Sequence, residues 1–372
     1  MEVRNNYNEC ITNLACSIRR YFNLDTKHNS LSYIDKLFDE KKPKNVVMIL
    51  FDGMGSNIID KLLDKNDFFI KNRIKKITTV FPATTVAATT SITTGLNPAE
   101  SGMLGWNTYY KDLDKVICTF FGYEKEDETE TILEEAVAYK NKHMKTKTIV
   151  EDINEKNIDV AYSLMPFGDD PYNGIDDMFN KINDLCKKNV DKKQFIYAYD
   201  TEPDSMMHVL GFHSKEVKEA VKERNDKVEK LCKNLHDTVV IVVADHGHIN
   251  VDNIFLEDYP DIMKCLSKKT SIESRAINFF VKEDKKEEFV KLFNKNFGED
   301  YTLYTKDDVI NSKLFGPGEE NEIFKDELGD YLAISYSSKN IVSPGNHVFL
   351  SHHAGYTDDE IFIPLIVIDK TN

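Results

Sequence analysis

No apolar stretch in this sequence approaches the ~20 residues that a membrane-spanning helix needs. The longest runs, VVMILF and TVVIVVA, are strand-sized. Arginine is also scarce, at six residues, and the formal net charge is -15. A nucleic-acid or anionic-membrane partner is therefore not expected, because both require basic patches. The six cysteines (Cys10, Cys16, Cys118, Cys186, Cys232 and Cys265) show no CxxC spacing. A chain this long needs no disulfide scaffold, and a reduced, cytoplasmic location is expected. The first residues, MEVRNNYNECITNLACSIRRYF, lack the continuous apolar core of a secretory signal and read as an amphipathic helix. Repeats, low-complexity tracts and proline-rich linkers are absent as well.

What is present is an alternation of short Val/Ile-rich runs with longer helical patterns, which predicts an α/β fold. The expected architecture is a three-layer α/β/α core around a mostly parallel sheet, with a small α+β insertion. Strands are predicted at Asn45 to Asp52, Ile158 to Ser163, Gln194 to Asp200 and Thr238 to Asp245, and a long helix at Ser214 to Leu235. Residues 1–43 read as an N-terminal helical segment, 44–270 with 345–372 as the core, and 271–344 as the insertion. The final row IFIPLIVID reads as a buried strand that rejoins the main sheet.

Two predicted strands end in aspartate, Asp52 and Asp245, where open α/β sheets place their ligands. In ILFDGMGS, the acid precedes the glycines and the third glycine of GxGxxG is missing, which argues against dinucleotide binding. The row TVVIVVADHGHIN delivers Asp245 and His246 from the most apolar strand, an expensive placement for charge without a partner. In TEPDSMMHVLGFHS, Asp204 and His208 are four apart and so share one helix face. His213, five residues further on, is a candidate third ligand but reads rather as a surface or capping residue. The row FLSHHAGYTDDEIFIPL carries His352 and His353 before a glycine.

The threonine-dense row TTVFPATTVAATTSITTGLNPAESGMLGWN predicts a helix that begins near Thr84 or Thr85 and stops at Gly95. The N–H groups at such a start face an anion, and a hydroxyl there becomes a nucleophile when a metal stabilises its alkoxide. Three aspartates and three histidines supply N and O ligands for two divalent ions, with zinc favoured and manganese or iron admissible.

Taken in order, ILFDGMG, FPATTVAATTSITTGLNPAESGMLGW, EPDSMMH, VVADHGH and SHHAG resemble the alkaline phosphatase superfamily, in its nucleotide pyrophosphatase/phosphodiesterase branch. The resemblance implies two metal ions, usually zinc. One would be held by Asp52, Thr85, Asp245 and His246, and the other by Asp204, His208 and His353. It also implies Thr85 as nucleophile, with Thr84 and Thr89 as alternatives. Where many of these enzymes read HGIVGN, this chain reads SGMLGWN. Trp106 takes the place of the phosphoryl-binding asparagine, so Asn107 or Trp106 becomes the substrate-binding candidate. The C/S-x-P-x-R signature of sulfatases is absent.

The expected activity is metal-dependent hydrolysis of small phosphate diesters or nucleotide-type phosphoanhydrides through a covalent phosphothreonine. No arginine lies between Arg73 and Arg224 to clamp a monoester dianion, although Arg275 could fold back from the insertion. The alternatives are a phosphonate C–P hydrolase or a phosphomonoesterase on the same site, and a catalytically silent metal-binding protein.

Overall fold

The computed structural model describes residues 3–188 and 191–371. Seven strands organise its first two-thirds: β1 (Asn45–Phe51), β2 (Arg73–Thr78), β3 (Asn107–Tyr110), β4 (Lys115–Cys118), β5 (Val160–Leu164), β6 (Gln194–Asp200) and β7 (Thr238–Val243). The main sheet runs β2, C-terminal strand Phe362–Lys370, β7, β1, β6, β5. Neighbours from β7 to β5 are parallel, and only the C-terminal strand runs against its partners. β1, β6 and β7 are buried along their whole length. That is the signature of strands covered on both faces by helices, and it explains why their sequences are continuous apolar runs rather than alternations.

The long helix falls at Lys215–Cys232, inside its predicted span. The N-terminal helix Ile11–Tyr21 packs on the threonine-rich helix Thr85–Thr94, where Arg19 Nη1 donates to the Thr94 carbonyl at 3.1 Å. Among the described residues, no helix is long and apolar enough to cross a membrane.

A second, fully antiparallel sheet carries Tyr301–Thr305, Tyr331–Ser335, Ala276–Phe279, Ser271–Ile272, β3 and β4 in that order. From Ser271 onward the chain runs through strands to a charged helix (Lys286–Phe297), a further strand and a short helix (Lys306–Ser312). Two strands from residues 107–118 complete this sheet, so segments distant in sequence share it. The Asn107 end of β3 pairs with Ile272 and brings this sheet up to the threonine-rich helix.

Candidate metal centre

Three adjacent parallel strands, β7, β1 and β6, end side by side, with Leu50 paired to Val243 and Phe51 to Asp200. Just beyond those ends the chain places Asp245 and His246, Asp52, and, after one turn, Asp204. The backbone ties them together: Asp52 N–H donates to the Asp200 carbonyl at 2.9 Å, and Asp204 N–H to the Asp52 carbonyl at 3.2 Å. Both glycines after Asp52 have a steric reason. Gly53 has φ +68°, and a Cβ on Gly55 would lie 2.3 Å from the Cα of Gly247 in the opposing turn.

Around the first cluster, Asp245 Oδ1 accepts from Gly53 N–H at 3.0 Å and His246 N–H at 2.9 Å. Asp52 Oδ2 accepts from the Tyr199 hydroxyl. The other two carboxylate oxygens, Asp52 Oδ1 and Asp245 Oδ2, are buried without a hydrogen-bond partner. They lie 3.3 and 3.5 Å from His246 Nε2. Burial, then the neighbouring carboxylates, push both acids well above the usual carboxylate range. A divalent ion among Asp52, Asp245 and His246 would satisfy both orphaned oxygens.

The second cluster surrounds Asp204. The Nδ1–H of His208 donates to the Ser351 carbonyl at 2.9 Å, and that of His353 to the Ala83 carbonyl at 3.1 Å. Those bonds orient each ring and turn each Nε2 toward Asp204, at 3.3 and 3.9 Å. His248 belongs here too, with Nε2 2.8 Å from Asp204 Oδ1. Its Nδ1 bonds Ser351 Oγ at 2.6 Å, and that hydroxyl donates onward to the Ile249 carbonyl, so Nδ1 is the donor. Burial pushes His248 down to about 4, against its contact with the Asp204 carboxylate. Asp204 is held below its usual range because His208 and His248 outweigh the effect of burial. The His246 and His353 rings stack at 3.8 Å and join the two clusters.

Thr85 is the first residue of its helix, with Thr84 as N-cap and Gly95, φ +78°, as the stop. Its Oγ1 is 3.3 Å from His246 Nε2 and 3.5 Å from Asp52 Oδ2. The hydroxyl of Thr84 instead donates to Glu273 Oε1 at 2.6 Å, and that of Thr89 to the Thr85 carbonyl at 2.6 Å. Thr93 and Thr94 in the same helix bond back to carbonyls in the same way.

The structure therefore brings Asp52, Thr85, Asp204, His208, Asp245, His246 and His353 together. His352 stands behind them, bonded to Ser274 Oγ at 3.0 Å and accepting from His353 N–H at 2.9 Å. His213 is exposed against Phe212 and joins neither cluster. The indole of Trp106 packs with Phe120 and Phe121, and Asn107 opens β3. Among the described residues, no hydrogen bond joins either side chain to Thr85 or to the ligand candidates.

Arg275 does not fold toward the phosphoryl site. It is fully buried in a bidentate pair with Glu360, at 2.7 and 3.0 Å. Two residues escaped the sequence reading. His248 was visible as the second histidine of DHGH, whereas Glu273 had no motif around it.

A model of the type I phosphodiesterase/nucleotide pyrophosphatase family matches residues 46–344. No curated protein matches by sequence. Among solved structures, murine ectonucleotide pyrophosphatase/phosphodiesterase 5 superposes with TM-score 0.64 at 18% identity, covering 86% of this chain and 87% of that one. An inactive threonine-to-alanine form of the murine protein in complex with AMP gives the same values. The human protein matches at TM-score 0.64 and 18% identity, with 87% of each chain covered. At that identity the superposition speaks for the fold, while the match over most of the chain speaks for the family. Both agree with a mostly parallel sheet that delivers two candidate ligand clusters to one helix start: the chain is a hydrolase of the type I phosphodiesterase/nucleotide pyrophosphatase family, within the alkaline phosphatase superfamily.

Proposed function

We propose that this chain hydrolyses small phosphate diesters or nucleotide-type phosphoanhydrides at a two-metal site, with Thr85 as a covalent nucleophile. The observation that carries the reading is the position of Thr85 Oγ1, at a helix start, 3.3 Å from His246 Nε2 and 3.5 Å from the Asp52 carboxylate whose other oxygen is orphaned.

Asp52, Asp245, His246 and Thr85 would hold one divalent ion, and Asp204, His208 and His353 the other, with zinc favoured by the N/O ligand set. When bound, two such ions lower the pKa of a coordinated hydroxyl and offset charge on the attacking and leaving oxygens of an in-line displacement. Thr85 Oγ forms a bond to phosphorus as the bond to the leaving oxygen breaks, and that oxygen departs with its electron pair and takes up a proton. The free N–H groups of the first helical turn face the phosphoryl oxygens. Water then attacks phosphorus, releases Thr85 as its hydroxyl and yields the monoester product.

A diester preference is supported by the fate of the arginines. Arg4, Arg19, Arg20, Arg73, Arg224 and Arg275 each pair with an Asp or Glu, so none is spare to clamp a dianion. The test is metal analysis of the purified protein with matched monoester, diester, phosphonate and sulfate assays. Two metal equivalents and a diester preference support the reading. A preference for the sulfate ester contradicts it.

A further inference from the structure

Glu273 follows Ile272, a β-branched residue at φ +69°, where such side chains are rarely tolerated. Ile272 is held there between β3, through its pairing with Asn107, and the strand Ala276–Phe279. Gly105 leaves the room, because a Cβ on it would sit 2.9 Å from Ile272 Cγ2 and 3.1 Å from its Cα. This strained turn presents a buried carboxylate to the start of the helix that bears Thr85.

Glu273 Oε1 accepts from the Thr84 hydroxyl at 2.6 Å and from Trp106 N–H at 2.8 Å. Among the described residues, Oε2 has no hydrogen-bond partner and no lysine or arginine pairs with the group. The residue is 8% exposed, so the carboxylate sits in the wall of the site with little contact with bulk water. Burial pushes the carboxyl up to about 7, against the Thr84 and Trp106 hydrogen bonds, and cations bound nearby would favour its ionised form.

The charge count then matters. Two divalent ions carry four positive charges, and Asp52, Asp204, Asp245 and a Thr85 alkoxide together balance them. Ionised Glu273 takes the site below neutrality, at the helix end where a phosphoryl group must bind.

We propose that Glu273 is a specificity-determining residue, a charge filter that admits monoanionic phosphate diesters and rejects phosphoryl groups that carry two negative charges. The inference rests on the two-metal reading above and sharpens it to a substrate class. One extra unit of charge beside a fixed carboxylate in a site of low effective dielectric is worth on the order of tenfold or more in binding.

The test is the metal-loaded Glu273→Gln variant, whose Oε1 still accepts from Thr84 and Trp106. Calorimetry would measure inorganic phosphate at pH 8, and assays would compare kcat/KM for bis(p-nitrophenyl) phosphate and p-nitrophenyl phosphate. The expected result is a gain of about tenfold or more in phosphate affinity and in monoester relative to diester activity. Glu273→Asp, which keeps the charge, should keep the wild-type preference. An unchanged ratio and phosphate affinity in Glu273→Gln, or a parallel loss of both activities, would overturn the proposal.

Should neither variant fold, wild-type calorimetry of dimethyl phosphate against methyl phosphate at pH 8 decides: tighter binding of the dianion overturns it. The binding measurements need no turnover, so failure of the diesterase reading is seen separately as an inactive wild-type protein.

Discussion

Thr85 Oγ1 lies 3.3 Å from His246 Nε2. That separation places one hydroxyl of a threonine-rich helix among the candidate ligands, while Thr89 is turned back on its own helix. Thr89→Ala should therefore leave diester kcat/KM within about threefold of wild type, since the lost bond is a local one to a carbonyl. A fall of a hundredfold would move the nucleophile assignment to Thr89.

His353 and His352 are neighbours with different tasks. His353 turns Nε2 toward Asp204, whereas His352 is engaged with Ser274 and the His353 backbone. His353→Ala should lose one of two metal equivalents on elemental analysis. His352→Asn should retain both, and loss of metal only from the His352 variant would exchange the two roles.

Removing metal should expose the strain among the buried carboxylates. A chelator is expected to lower the wild-type Tm, since saturation at a thousandfold excess over Kd contributes about 4 kcal/mol. Asp245→Asn relieves the repulsion with Asp52, so its apo form should melt above the wild-type apo form and gain less on adding metal. Equal melting of the two apo forms would argue against the cluster as described.

Much of this arrangement was legible because strand burial and strand ends leave strong marks. β1 and β7 show as apolar runs that end in Asp52 and Asp245, and their termini fall beside each other because neighbouring parallel strands share a register. The start and stop of the Thr85 helix were visible in Pro82 and Gly95. The second sheet was harder, since β3 and β4 join strands more than 150 residues later and no local periodicity records that pairing. Glu273 was hidden for the same reason: its importance comes from Thr84 and Trp106, which only the tertiary fold brings to it. Arg275 has the opposite history. A lone arginine in the insertion suggested a phosphate contact, and the Glu360 carboxylate that neutralises it lies 85 residues away.

That pair yields its own expectation. Glu360 also accepts from Gly355 N–H at 2.7 Å, and its carbonyl accepts from Gly247 N–H at 2.8 Å, so it ties the two histidine-bearing turns together. Arg275→Ala leaves this carboxylate buried and unpaired, which should cost about 3–5 kcal/mol in urea unfolding. A change below 1 kcal/mol would show that the pair is not buried as described.

Lys125 provides a pH signature away from the metals. It is buried, with Nζ bonded to the carbonyl and hydroxyl of Thr270 and to Ser343 Oγ, and burial lowers it to about 8 from 10.5. Between those values the unfolded chain holds the proton that the folded chain has released, so stability contributed by this group rises with pH from about 8 to 10.5. The wild-type stability curve should show that rise relative to Lys125→Met. Parallel curves would place the lysine pKa near its ordinary value.

The most direct test of the account is diester hydrolysis by Thr85→Ala at full metal content. The two-metal, phosphothreonine mechanism predicts that kcat falls by about a thousandfold or more while two metal equivalents remain bound. Retention of more than about a tenth of wild-type activity under those conditions would contradict it.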